Sequence, residues 1–304
     1  MGGKEVQKMA KVYDSMLELA GATPLLRLHH MEKEIAGKAE LVAKLEFINP
    51  TRSIKDRMAG AWIEWAEQDG GLRPGTGVIA AAEKNTGVGL ALAAAVKGHP
   101  LTLIMPSRTR IEIRKLVCGY GAKLVLVPGE IEAAREKAKA IAGQNTKDFL
   151  LEPAGQGKSP DTHGDTLGVE LWNDTDGRVD LVVADTETWG DLVQTAGYLK
   201  EKNPACRMVA AAVQNAVHIQ KETGMIDETI VVSEDEARQT TAAIAEKEGI
   251  LVGIASGAAV MAALHVAGRK ENAGKRICVI LADTGERYLS TEVFGAVLTP
   301  PEPF

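Results

Sequence analysis

The run "AELVAKLEFINPTRSIKDRMAGAWIEWAEQDG", residues 39–70, decides the fold class. Its first nine residues, 39–47, read as a strand. An Asn-Pro break follows at Asn49 and Pro50. From Lys55 the apolar residues recur at helical spacing, and Gly70 closes the helix. A strand, a loop and a helix in about thirty residues make half of a βαβ unit.

The same alternation continues in both directions. Strands are expected at 77–82, 101–106, 123–128, 179–184, 206–211 and 275–283. Helices are expected at 86–98, 108–119, 130–142, 166–173, about 188–201 and 256–269, with a further one capped by Ser233. Strands that read as continuous apolar runs are covered on both faces. The pattern predicts an α/β fold of mainly parallel sheets flanked by helices. Nothing repeats at a fixed period, and the proline-rich end, 299–304, reads as a loose tail.

The 304 residues suffice for one large domain or two ordinary ones. The chain is 45% hydrophobic and 25% charged, with a net charge of −6. A weakly acidic surface with scattered lysines offers no footprint for nucleic acid, and no run is long enough to span a membrane. The N-terminal residues lack the apolar core of a secretory signal. Cys118, Cys206 and Cys278 lie in apolar segments and read as buried, reduced thiols, which implies the cytoplasm. The six histidines have no metal-ligand spacing, so no metal site is expected.

Ligands of such folds sit where strands end and helices begin. Lys55 stands at such a place. Positive backbone charge there lowers an ammonium pKa and favours Schiff-base chemistry. By position alone, a solvated first-turn lysine remains the commoner alternative.

The segments "LAGATPLLRL" (19–28), "NPTRSIKDR" (49–57), "EGILVGIASGAAV" (248–260) and "DTGERYLSTEVF" (283–294), in this order, resemble the cysteine synthase (O-acetylserine sulfhydrylase) family. The resemblance covers about residues 15–295. It implies the two-domain fold type II of pyridoxal-phosphate enzymes, with the cofactor in the cleft and a homodimeric assembly. The expected smaller domain is 39–147, and 1–38 with 148–304 forms the larger. By position, Lys55 would be the Schiff-base lysine. Asn85 would bind the cofactor's ring hydroxyl, Thr188 and Gly190 its phosphate, and Thr284 would face the pyridine nitrogen.

The sequence departs from the family on the loops that would touch ligands. The carboxylate loop T-S-G-N-T-G has become Ala82–Gly87, with Glu83 and Lys84 in place of a hydroxyl and a glycine. The phosphate loop G-T-G-G-T has become Glu187, Thr188, Trp189, Gly190 and Asp191. One acid about 5 Å from a phosphate costs on the order of 3 kcal/mol at an effective dielectric near 20. A helix N-terminus returns roughly 0.3–1 kcal/mol. Glu152 falls near a family glutamine. About twenty residues of the family pattern are absent after the strand at 206–211.

Packing motifs kept beside a rewritten lining imply a cysteine-synthase-like protein that has lost normal pyridoxal-phosphate binding and O-acetylserine sulfhydrylase activity. Its retained role would be binding or regulation, with a partner from sulfur amino-acid metabolism. Two alternatives stand beside it. One is a pyridoxal-phosphate enzyme of β-replacement or β-elimination using Lys55. The other is new acid–base chemistry among Glu83, Lys84, Glu152, Glu187 and Asp191. In the first reading Lys55 or Lys84 pairs with one of these acids, and Trp189 fills part of the phosphate pocket.

Overall fold

A computed structural model describes residues 12–35, 39–145, 147–152, 164–189, 192–214 and 224–294. Ten strands form two sheets among these residues. They are β1 (Leu25–Arg27), β2 (Glu40–Leu45), β3 (Val78–Ala81), β4 (Leu101–Pro106), β5 (Lys123–Val127), β6 (Phe149–Leu151), β7 (Leu181–Asp185), β8 (Arg207–Val213), β9 (Glu228–Val232) and β10 (Arg276–Leu281). The larger sheet has the order β1-β2-β10-β7-β8-β9, and the smaller has β5-β4-β3-β6. Only β1 runs antiparallel to its neighbour.

The helices are α1 (His29–Glu32), α2 (Lys55–Gln68), α3 (Lys84–Lys97), α4 (Ile111–Gly119), α5 (Ile131–Gln144), α6 (Val169–Asp174), α7 (Thr186–Trp189), α8 (Val193–Lys202), α9 (Glu234–Glu248) and α10 (Ile254–Ala267). They cover both faces of each sheet, which is why β7 is buried along its whole length. On the smaller sheet, Trp62, Ile63 and Leu90 of α2 and α3 pack with Val78 and Leu103. Ala134 and Ala138 of α5 meet Ile79 and Ile104 on the other face. On the larger sheet, α9 and α10 cover Val183, Val209 and Val279, while Leu171 and Leu199 lie opposite with Val182 and Ile280.

Small residues let α10 approach α9 closely. A Cβ added at Gly257 would lie 2.0 Å from Thr241 Oγ1 and 2.4 Å from the Ala237 carbonyl oxygen. Ser233 caps α9 as expected. Its hydroxyl accepts the Glu236 amide at 3.2 Å, and Glu236 returns an oxygen to the Ser233 amide at 2.8 Å. This reciprocal pair satisfies two otherwise orphaned donors, and such a cap contributes about 1 kcal/mol.

The sequence-based boundaries at 39 and 148 do not follow the sheets. β2 lies in the larger sheet, hydrogen-bonded to β10 along its whole length, and β6 completes the smaller sheet beside β3. The chain therefore crosses into the smaller unit after β2 and leaves after β6. The helix expected at 188–201 is interrupted, with α7 ending at Trp189 and α8 beginning at Val193. Cys206 and Cys278 are buried, and burial pushes both thiols up to about 12. Cys118 is exposed, contrary to expectation, because α4 covers its sheet with Ile113 and Val117 instead. No helix among the described residues is long and apolar enough to cross a membrane.

A buried ionic network fixes α2 against the larger unit. Arg57 grips Glu46 at 2.8 and 2.9 Å and Glu170 at 2.8 Å through two nitrogens. Lys44, with no exposed surface, donates to Glu170 at 2.8 Å and Asp174 at 3.2 Å. Thr23 and Asn49 satisfy the remaining Glu46 valences. Burial works against the Arg57 charge, and the two glutamates more than reverse that effect.

Candidate functional site

The strand ends of both sheets converge at one place. The loop before α2 is zipped to the end of β10. Ile54 donates to the Ala282 carbonyl at 2.9 Å, Thr284 donates to that of Arg52 at 3.2 Å, and Ser53 bridges Asp283. Lys55, half-buried, therefore starts α2 directly over the β10 end. Its charge reaches Asp185 and Glu187, the acids of the β7 end.

The loop from β3 brings Glu83, Lys84 and Asn85 to the same place. Lys84, the first residue of α3, has φ 46°, in the left-handed region. The resemblance puts a glycine here, so the backbone shape survives in a residue for which it costs about 1–2 kcal/mol. Lys84 Nζ reaches Glu187 at 2.8 Å across the cleft, at a rim where the two side chains are 64% and 56% exposed. Partial burial pushes the Glu187 carboxyl up, and Lys84 with Lys55 holds it below the usual range. Glu83 pairs with Arg108 at 3.2 Å, and Glu152 with Lys139 at 2.9 Å.

The loop after β7 is built on a residue that motif reading passed over. Asp185, the last residue of β7, is buried. Its Oδ1 accepts the amides of Glu187 at 3.0 Å and Thr188 at 3.1 Å, and its Oδ2 accepts the Thr188 hydroxyl. Burial pushes its carboxyl up, and the Thr188 bonds and the field of Lys55 only partly offset this. These three donors thus face a carboxylate of the same chain. An acid closing an otherwise apolar strand, directly before the loop, was the available signal. Gly190, Asp191 and the Trp189 side chain lie outside the described residues.

A second missed acid sits at the β10 end. Asp283, 2% exposed, accepts Asn85 Nδ2 at 2.7 Å and the Tyr288 hydroxyl at 3.0 Å, both on Oδ2. Oδ1 has no hydrogen-bond partner and lies against Gly253, where an added Cβ would come within 2.2 Å. Burial pushes this carboxyl up, against Asn85, the Arg287 charge and Tyr288. Arg287 donates to the Asn85 side-chain oxygen and to the Thr51 carbonyl. Thr284 turns its hydroxyl to the Glu286 amide at 3.3 Å, so the polar group facing Asn85 is Asp283. No cluster of three potential metal ligands occurs among the described residues.

A family model described as "Pyridoxal-phosphate dependent enzyme" matches residues 16–224. The chain is 35% identical to cysteine synthase A of Escherichia coli strain K12, over 97% of this chain and 99% of that protein. The chain belongs to the cysteine synthase family of pyridoxal-phosphate dependent enzymes. Cysteine synthase B of Pseudomonas aeruginosa is 34% identical, over 94% of this chain and 99% of the other. Among solved structures, O-acetylserine sulfhydrylase isoform 3 of Entamoeba histolytica superimposes with a TM-score of 0.86 at 32% identity, covering 100% and 97% of the two chains. An O-ureido-L-serine synthase gives 0.88 at 30% identity, covering 96% and 98%. Cysteine synthase kinship therefore extends over nearly the whole chain, and the fold type II architecture comes with it. Positions 83, 84, 187 and 189 lie inside this shared frame.

Proposed function

We propose that this protein is a cysteine-synthase-like scaffold that no longer holds pyridoxal phosphate in the family manner and serves a binding or regulatory role. One observation carries the reading: the loop amides of Glu187 and Thr188, with the Thr188 hydroxyl, are all committed to Asp185. Those donors stand where the resemblance puts the phosphate-binding loop. A phosphate entering there would displace an internal carboxylate and meet its charge at short range. Asp185, Glu187 and Thr188, bonded in this way, do not fit the phosphate group.

Two further features support the reading. Asn85 has its amide donor on Asp283 and its carbonyl on Arg287. The Lys84–Glu187 pair joins the two walls of the cleft. The role we assign is that of a cytoplasmic homodimer engaging a protein of sulfur amino-acid metabolism. The purified protein, supplied with pyridoxal phosphate, O-acetylserine and sulfide, should form no cysteine above the uncatalysed rate. Turnover near 1 per second or faster, within the ordinary enzyme range, would overturn the proposal.

A second reading has its own observation. Asp283 Oδ1 is buried and lacks a donor, and a protonated ring nitrogen would supply one. On this reading Lys55 still works in a β-replacement or β-elimination enzyme that holds its cofactor in an altered way. The same assay, with the Lys55→Ala variant alongside, separates the two.

A further inference from the structure

The two units have separate apolar cores. Among the described residues, the apolar clusters of the smaller unit draw on positions between 55 and 151 and on Leu17, and those of the larger unit draw on none of that segment. Leu17 lies beside Gly60 of α2, and Ile54, packed in the larger unit, directly precedes Lys55. The Arg57 pairs with Glu46 and Glu170 stand at the same place. The start of α2 is therefore where the smaller unit is anchored.

Across the cleft the units meet through polar groups instead. Lys84 reaches Glu187 at 2.8 Å at the exposed rim. Asn85 donates to Asp283 at 2.7 Å and accepts from Arg287. Arg110, just before α4, lies over the Tyr288 ring, 4.4 Å from its centre, and Glu112 accepts a hydrogen bond from Ser290. Contacts of this kind are directional, and the exposed ones weaken in salt. Lys84 holds its position at φ 46°, a backbone state that persists only where the surroundings impose it. Releasing Lys84 ends that strain together with the ion pair, so the open and closed arrangements lie near balance.

We propose that these contacts form a latch by which the chain closes its own cleft: Lys84–Glu187 at the rim and Asn85 with Asp283 and Arg287 beneath it. On release the smaller unit swings about the start of α2 and opens the way to Lys55. A few residues at the end of one element suffice for such a hinge. The latch governs access to the cleft whatever ligand it takes, and it does not rest on the reading of the β7 loop.

A distance measurement between the units tests the proposal. Cys118 of α4 is exposed, whereas Cys206 and Cys278 are buried. A second thiol at Gln239→Cys stands on the exposed side of α9, which reaches the 285–294 segment through Arg238 and Glu292 at 3.6 Å. Nitroxide labels on this pair, in full-length protein diluted with unlabelled chains, report the separation within one chain by pulsed dipolar spectroscopy. The unmodified protein at low salt should give one short distance. Glu187→Lys and Asn85→Ala should each bring in a longer one. Salt near 1 M should do the same for the unmodified protein and add little to Glu187→Lys. The charge swap Lys84→Glu with Glu187→Lys should restore the short distance.

Circular dichroism of each variant separates opening from unfolding, and the exposed rim pair makes Glu187→Lys the variant that keeps its fold. Distances unchanged by Glu187→Lys and by salt would overturn the inference. So would a long distance already dominant in the unmodified protein, or a charge swap that behaves like Glu187→Lys alone.

Discussion

Replacing Arg57 by methionine tests whether the charged network under α2 holds the site's frame. The guanidinium is 2% exposed and makes bidentate pairs with Glu46 and Glu170. Methionine keeps most of the volume and removes every donor. Glu170 retains Lys44 at 2.8 Å. Glu46, with no exposed side-chain surface, keeps only Thr23 and Asn49. Breaking a buried pair on one side costs about 3–5 kcal/mol, because the remaining charge is uncompensated. That is a large part of the roughly 5–15 kcal/mol that holds a typical protein folded. Urea unfolding followed by circular dichroism should therefore show a loss of at least 3 kcal/mol for Arg57→Met. The double variant with Glu46→Gln should recover more than half of it, since the residues share one network. A single-variant loss below about 1 kcal/mol, or no recovery in the double variant, would refute the reasoning.

Other perturbations follow from the same structure. Glu170 is held down to about 2, against burial, by Arg57 and Lys44, so its stabilisation is present above the ordinary carboxylate range and is lost as pH falls towards 2. Asp56 is pushed up to about 6 by burial despite its Thr51 bonds, so its effect has the opposite sign. Its favourable part is present below about 4 and is lost as pH rises through 6. Thermal stability against pH should show both limbs, and Asp56→Asn should flatten the one between pH 4 and 6. Gly257→Ala must displace Thr241 or the Ala237 carbonyl and should cost about 1–3 kcal/mol in urea unfolding. Lys84→Gly removes left-handed strain of about 1–2 kcal/mol and an exposed ion pair contributing about 0–1 kcal/mol. It should leave the melting temperature unchanged or raised, and a marked fall would contradict this account of its backbone.

The parallel α/β architecture was legible because buried strands carry continuous apolar runs, as at 181–184, and the helices between them carry clear periodicity. The Ser233 cap was legible for a local reason, since Glu236 stands three residues on. Sheet membership was not legible. Nothing local in β2 tells that it pairs with β10, more than two hundred residues away. The site was half legible. The pairing of Lys84 with an acid could be anticipated from opposite charges on facing loops. The partner choices of Glu83 and Glu152 could not, because Arg108 and Lys139 reach them only through tertiary packing. Asp185 and Asp283 escaped notice because each adjoins a loop motif without belonging to its glycine pattern. Their meaning comes from burial and from the amides and side chains around them, which no linear spacing encodes.

The visible absorption spectrum of the purified protein, titrated with pyridoxal phosphate, tests the central claim most directly. With Asp185 occupying the Glu187 and Thr188 donors, no stoichiometric band should develop, and the spectrum of the mixture should equal that of its parts. Lys55→Ala should change nothing. A band that saturates at one equivalent per chain and vanishes in Lys55→Ala would contradict the account.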